Sequence, residues 1–259
     1  MSGELEPAEG SDVPGAFEVL DGVEVPGVTP ARVLLGRAGT SYRTSTHLRL
    51  RADHAAARDA LHERIALDDE VMAPLVERVG LFEVRSGASS PAEHLARPDL
   101  GRRLADGEAE HLRAECPTGV DVQVVVGDGL SARAVHAQVP VLLPGLLDGA
   151  AARGWSVGRP FFVRHCRVGL LNDIGAALDP EVVVLLVGER PGLAIAESLS
   201  AYLAFRPRPG HTDADRNLVS NIHADGVAPD EAARRVLDLA AELLLRQRSG
   251  YQVKELGGA

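Results

Sequence analysis

The sequence predicts an α/β protein: a mostly parallel, Rossmann-like sheet flanked by helices, preceded by a smaller, mainly helical region. Three observations predict it. From residue 116 onward, short runs rich in Val alternate with longer segments of helical spacing, the pattern of βαβ units. The longest apolar run, Val182 to Val187, has six residues. That is far short of the roughly 18 to 20 a membrane helix requires, and it suits a strand buried on both faces. Residues 32–115 carry helically spaced apolar positions and no internal repeat.

The elements follow in order. Residues 1–31 hold Glu4, Glu6, Glu9, Asp12, Glu18, Asp21 and Glu24 without one Lys or Arg, among several Gly and Pro. Such a segment buries too little apolar surface to offset the entropy of ordering, so it is expected to be a flexible acidic tail. Between Arg32 and Arg51 the sign reverses: Arg32, Arg37, Arg43, Arg49 and Arg51 occur with no acid. These guanidinium groups suit a phosphate or an acidic partner, or equally a solvated face with in-chain salt bridges. Leu48, Leu61 and Ile65 fit a helix from Thr46 to about Ile65, with Glu63 placed to meet nearby Arg residues. Leu81 to Arg85 alternates like a short strand, and Ala105 to Glu115 reads as a helix closed by Pro117 and Gly119.

Residues 116–259 form the expected α/β domain. A strand over Val120 to Val126 runs into a tight loop, Gly127 to Ser131, and then a helix from Ser131 to about Arg153. Pro160 to Arg164, Glu181 to Val187 and Tyr202 to Arg206 are further strands, with a short helix from Asn172 to Leu178 between the first two. A last helix starts at Pro229, a residue suited to the first helical position, and ends near Arg248 with Gly250 behind it.

In open α/β sheets ligands bind beyond the carboxyl ends of the strands, so the loops there are the candidate sites. Gly127-Asp128-Gly129-Leu130-Ser131-Ala132 matches G-x-G-x-x-G/A between a strand and a helix. The acid that should follow about 20 residues later is Asp148, which falls inside the helix. A nucleotide-binding oxidoreductase therefore remains an alternative, beside a plain βα turn in which Asp128 or Ser131 caps the helix. In Gly188-Glu189-Arg190-Pro191-Gly192 two glycines and a proline stiffen the backbone around an acid able to accept ligand hydrogen bonds, or to pair with Arg190 and fix a turn. Asp215 to His223 reads as a polar loop. No metal-ligand spacing and no nucleophile elbow or P-loop occurs, so neither a catalytic triad nor a metal site is expected.

Composition excludes further classes. The 259 residues suffice for one or two domains. With 27 Lys and Arg against 37 Asp and Glu, a net charge of −10, and only five Phe, one Trp and three Tyr, no nucleic-acid surface is expected. The acidic segment alone supplies seven of those ten charges. Cys116 and Cys166 are too few and too far apart for a disulfide framework, and no signal-peptide pattern opens the chain; a reducing, cytoplasmic setting without a membrane is expected.

Several of these segments together carry a resemblance. Asp99-Leu100-Gly101-Arg102-Arg103-Leu104, Asp121 to Val126 with Asp128-Gly129-Leu130-Ser131, Pro160 to Arg164, Val187 to Leu193, and Ser220 to His223 occur in the order and approximate spacing of one family. Leu35 to Gly39 with Arg43-Thr44 fits its N-terminal part. From about Arg32 to Gly250 the chain resembles the small (light) subunit of ethanolamine ammonia-lyase. The resemblance implies a subunit of an adenosylcobalamin-dependent enzyme that converts ethanolamine to acetaldehyde and ammonia by a radical route. A large subunit binds the substrate, the small one helps enclose the cobalamin, and the two form a hetero-oligomer. The family's cobalamin contacts fall here on Val168, Glu189 and Leu218, the last a position where the family commonly has Cys. No D-x-H-x-x-G segment is present, which fits the family's base-on cofactor. Some relatives work inside a bacterial microcompartment with the help of an N-terminal extension; residues 1–31 show neither basic residues nor a clear amphipathic repeat of that kind. A non-catalytic scaffold subunit is the remaining alternative.

Overall fold

A computed structural model describes residues 37–253. The acidic segment 1–31, Arg32 and Gly36 lie outside the described residues. The chain divides into two compact units, residues 1–55 and 56–259. In the first, strands β1 (Arg37–Ala38) and β2 (Ser41–Tyr42) pair antiparallel and helix α1 (Thr44–His62) begins.

The second unit is built on a six-stranded sheet. Its strands, in chain order, are β3 (Phe82–Arg85), β4 (Val122–Gly127), β5 (Phe161–Arg164), β6 (Val182–Gly188), β7 (Leu199–Phe205) and β8 (Asn217–Ile222). In space they run β3-β5-β4-β6-β7-β8. The first four are mutually parallel, whereas β7 and β8 are antiparallel to their neighbours. The sheet is thus mixed, mostly parallel, and flanked by helices as expected, with an antiparallel edge.

Alternation along the strands sorts the core onto two faces. Val122, Val124 and Val126 of β4 and Val182, Val184 and Leu186 of β6 pack on one side with Val135, Val139, Leu142 and Leu146 of α5 (Ala132–Ala152). Val236, Leu239, Ala240 and Leu243 of the last helix, α7 (Pro229–Arg246), complete that layer. Val125, Val183 and Leu185 face the other way, onto Leu171, Ile174 and Leu178 of α6 (Leu171–Leu178) and Leu112 of α4 (Glu108–Glu115). Each central strand residue is therefore buried whichever way it points, which explains the unbroken Val and Leu runs.

Several boundaries differ from the sequence reading. Helices α2 (Ala73–Val79) and α3 (Pro91–Ala96) were not expected; each is about two turns or less, too short for a periodic signal. The strand expected from Tyr202 begins at Leu199. Most consequential, much of the segment read as a polar loop, Asp215 to His223, is edge strand β8. Only Val219 and Ile222 of that strand are fully buried, and a register shift between Leu199 and Ala201 of β7 disrupts the regular two-residue pattern. The strand Phe82–Arg85 pairs parallel with β5, so this part of the N-terminal half forms an edge of the same sheet.

Candidate functional site

The carboxyl ends of β4, β5 and β6 lie side by side, and their loops touch through backbone. Leu130 N donates to Gly188 O at 3.0 Å. A Cβ on Gly129 would stand 2.3 Å from Gly188 O, and one on Gly188 would stand 2.1 Å from Ser131 O. Gly129 also has φ +59°, so glycine is required there for both space and conformation. Ser131 caps α5, accepting from Ala134 N at 3.1 Å while its hydroxyl donates to Ala196 O at 2.8 Å.

Asp128 does not cap the helix. Its carboxylate accepts from His165 N at 2.7 Å and Cys166 N at 2.8 Å, clamping the end of β5 where His165 adopts φ +59°. Burial pushes this carboxyl up to about 6, against the two N–H donors that pull it down. His94 lies beside it. Its Nε2 meets Gly129 O at 2.8 Å; since a carbonyl only accepts, that nitrogen carries the proton. Burial lowers the imidazole to about 4. Next along the chain, Arg167 N donates to Gly101 O at 2.8 Å and Arg167 NH2 to His94 O at 3.0 Å. These bonds present the turn Val168–Leu170 to the same end of the sheet.

Glu189, one residue past β6, is held from three directions. Ser198 Oγ donates to Oε2 at 2.7 Å; Ser200 Oγ and Asn221 N donate to Oε1 at 2.5 and 3.1 Å. Asn221 reaches this position with φ +60°. Leu218 of β8 stands opposite Tyr202 in register and is 44% exposed. Val168, Glu189 and Leu218, which come from three separate stretches of chain, all line one cleft of about 280 Å³. Arg167, Arg190 and Tyr202 share it. Neither arginine has an ion pair among the described residues, and burial with the neighbouring Arg102 and Arg190 pulls the Arg167 guanidinium down.

The cleft contains no self-contained reactive set. Burial pushes the Cys166 thiol far up, so at neutral pH it is protonated and a poor nucleophile. Among the described residues no group of three or more His, Cys, Asp and Glu is placed to hold a metal ion. Sequence reasoning did not single out Ser198 and Ser200, the hydroxyls that orient Glu189. Their two-residue spacing on and beside β7 puts both on one face, a signal that could have found them once that strand was known to start at Leu199.

Comparison with known proteins decides the family. The family profile of the ethanolamine ammonia-lyase light chain matches residues 23–254, which include every strand and helix described above. The chain belongs to this family. It is 40% identical over 232 residues to the ethanolamine ammonia-lyase small subunit of Clostridium perfringens, covering 90% of this chain and 77% of that one. It is 42% identical over 226 residues to the small subunit from Fusobacterium nucleatum, covering 87% and 75%. No helix among the described residues is long and apolar enough to cross a membrane.

Proposed function

We propose that this chain is the small subunit of an adenosylcobalamin-dependent ethanolamine ammonia-lyase, and that its cleft holds one side of the cobalamin while a large subunit binds ethanolamine. The observation that carries this reading is the convergence of Val168, Glu189 and Leu218 on one cleft at the carboxyl ends of the strands. The donor set suits the cofactor. A corrin ring is rimmed by carboxamides that donate N–H bonds and by apolar edges; Glu189 offers a fixed acceptor and Leu218 an exposed apolar side chain. When bound, adenosylcobalamin supplies the homolysable cobalt–carbon bond from which the conversion of ethanolamine to acetaldehyde and ammonia starts.

The chain's own residues bind and enclose. Glu189 accepts, and Ser198, Ser200 and Asn221 N spare it the cost of reorienting on binding. Val168 and Leu218 cover apolar surface and keep water from it. With leucine at position 218 a thiol contact is lost, while a backbone contact there survives.

The test is made on the assembled enzyme. Glu189→Ala is expected to weaken cobalamin retention about tenfold, the loss of one hydrogen bond to a charged acceptor, read by absorbance of the protein fraction after gel filtration. Unchanged retention together with unchanged acetaldehyde formation sinks the assigned site. Titration with NADH and NADPH separates the oxidoreductase alternative, which predicts binding without any response to cobalamin.

A further inference from the structure

A second cavity lies beside the cleft, and nothing in the proposed function uses it. It measures about 380 Å³ and is bounded by Arg102 and Arg103 from the 100–103 turn, by Asn172 of α6, and by His211, Asp213 and Arg216 from the segment before β8. Arg216 is unusual for an arginine, with only 5% of its side chain exposed. It pairs with Asp213, and its NH2 donates to Asn172 Oδ1 at 3.3 Å, but its buried Nε has no partner among the described residues. The buried Nδ1 of His211 is equally without one.

The charge around the cavity is out of balance. Arg102 and Arg103 have no ion pair among the described residues. Arg102 lays its stem flat over Gly169, where a Cβ would stand 2.8 Å from its Cγ, and this holds the guanidinium at the rim. Two acids line the cavity. Asp213 is committed to Arg216, and Asp173 accepts from Leu104 N at 3.0 Å. Three guanidinium groups thus face one cavity with two carboxylates, both already engaged. Burial pulls the Arg216 guanidinium down, against Asp213 and Asp215, which hold it up, and Arg102 adds to the lowering.

We propose that this cavity is a binding site for a phosphate group, free or ester-linked. A tetrahedral dianion supplies the missing charge and several acceptors at once, and planar guanidinium forks bind such oxygens in pairs. The volume leaves room beyond a bare phosphate ion for the organic part of a small phosphate ester. The site stands on residues distinct from the cobalamin contacts, so its failure and theirs are separable.

The test titrates the full-length chain with inorganic phosphate by calorimetry at low ionic strength, with adenosine monophosphate and acetate as parallel probes. Saturable phosphate binding is expected, weakened about tenfold in the double variant Arg102→Gln/Arg103→Gln. Both side chains are exposed, so the variant is expected to fold, which a circular dichroism spectrum verifies. A control variant, Arg78→Gln/Arg246→Gln, removes the same charge from distant helices and should bind as the native chain does. Tighter binding of the monophosphate than of phosphate identifies an ester; equal binding identifies the free ion. No saturable binding, equal loss in the control, or acetate binding as tightly as phosphate overturns the proposal, the last pointing instead to a carboxylate from a protein partner.

Discussion

His94 and Asp128 show how two buried groups can hide each other's pH dependence. His94 falls from its ordinary 6.5 to about 4 because burial disfavours its cation, so the unfolded chain binds more protons than the folded one between those values. That contribution to stability is complete above pH 6.5 and is lost as pH falls toward 4. Asp128 rises from 3.8 to about 6 because burial disfavours its anion, so the folded chain binds more protons between 3.8 and 6. Its contribution has the opposite sign, largest below 3.8 and lost as pH rises through 6. Between pH 4 and 6 the two slopes nearly cancel. Removing one exposes the other. In His94→Gln the stability deficit against the native chain is expected to shrink by about 3 kcal/mol from pH 7 to pH 4, at 1.36 kcal/mol per pKa unit. In Asp128→Asn the deficit should grow over the same range by a similar amount. Urea midpoints at half-unit pH steps check both, and deficits that stay constant with pH would show that neither group titrates in this window.

At the level of elements, the cleft depends on where α5 starts. Ser131 closes the first turn of that helix and ties it through Ala196 to the segment that leads into Ser198 and Ser200, the residues orienting Glu189. Ser131→Ala is expected to cost about 2 kcal/mol in urea unfolding, the upper part of the range for a lost N-cap, because the bond to the half-buried Ala196 carbonyl is lost as well. It should also weaken cobalamin retention by the assembled enzyme, which a purely local cap would leave unchanged. Gly129→Ala is a harsher change, because a methyl there meets Gly188 O where backbone already touches backbone. Little soluble protein is expected from it, and native-like yield with a native urea midpoint would contradict the close packing of the two loops. These elements differ in how far they could be read beforehand. Strands β4 and β6 were legible because both faces are buried, leaving a continuous run of Val and Leu. Helix α5 was legible within a residue or two despite Pro140 and Pro144 inside it, since its buried positions Val135, Val139, Leu142 and Leu146 keep the helical period. Strand β8 was not, because an edge strand carries its pairing in the backbone, and Asn217, Ser220 and Asn221 look like turn residues. The site shows the same division. The loops holding Gly129 and Glu189 announce themselves by glycine and proline, whereas Val168 and Leu218 have no chemistry of their own. Only resemblance to a family pointed to those two residues, and only the folded chain brings them to one cleft.

For the whole molecule, the composition of the cleft bears on what the chain can do alone. Its acid is committed to three donors, its buried thiol stays protonated, and no general base stands beside a nucleophile. On the proposed reading, the cleft of the small subunit holds and shields the cofactor while the large subunit binds ethanolamine. The purified chain supplied with ethanolamine and adenosylcobalamin is therefore expected to form no acetaldehyde, and co-expression with an ethanolamine ammonia-lyase large subunit to restore it. The acidic segment enters at this scale too. The family match starts at residue 23, and residues 1–22 carry six of the seven acids that precede Arg32. Charges on a segment outside the shared family region add to repulsion between copies and to solubility. Deleting residues 1–22 should thus leave assembly and acetaldehyde formation at native levels while lowering the highest concentration at which the protein stays in solution. Gel filtration of the co-expressed pair, with and without the deletion, decides the point: a large subunit that elutes free of the shortened chain would mean that the acidic segment belongs to the interface.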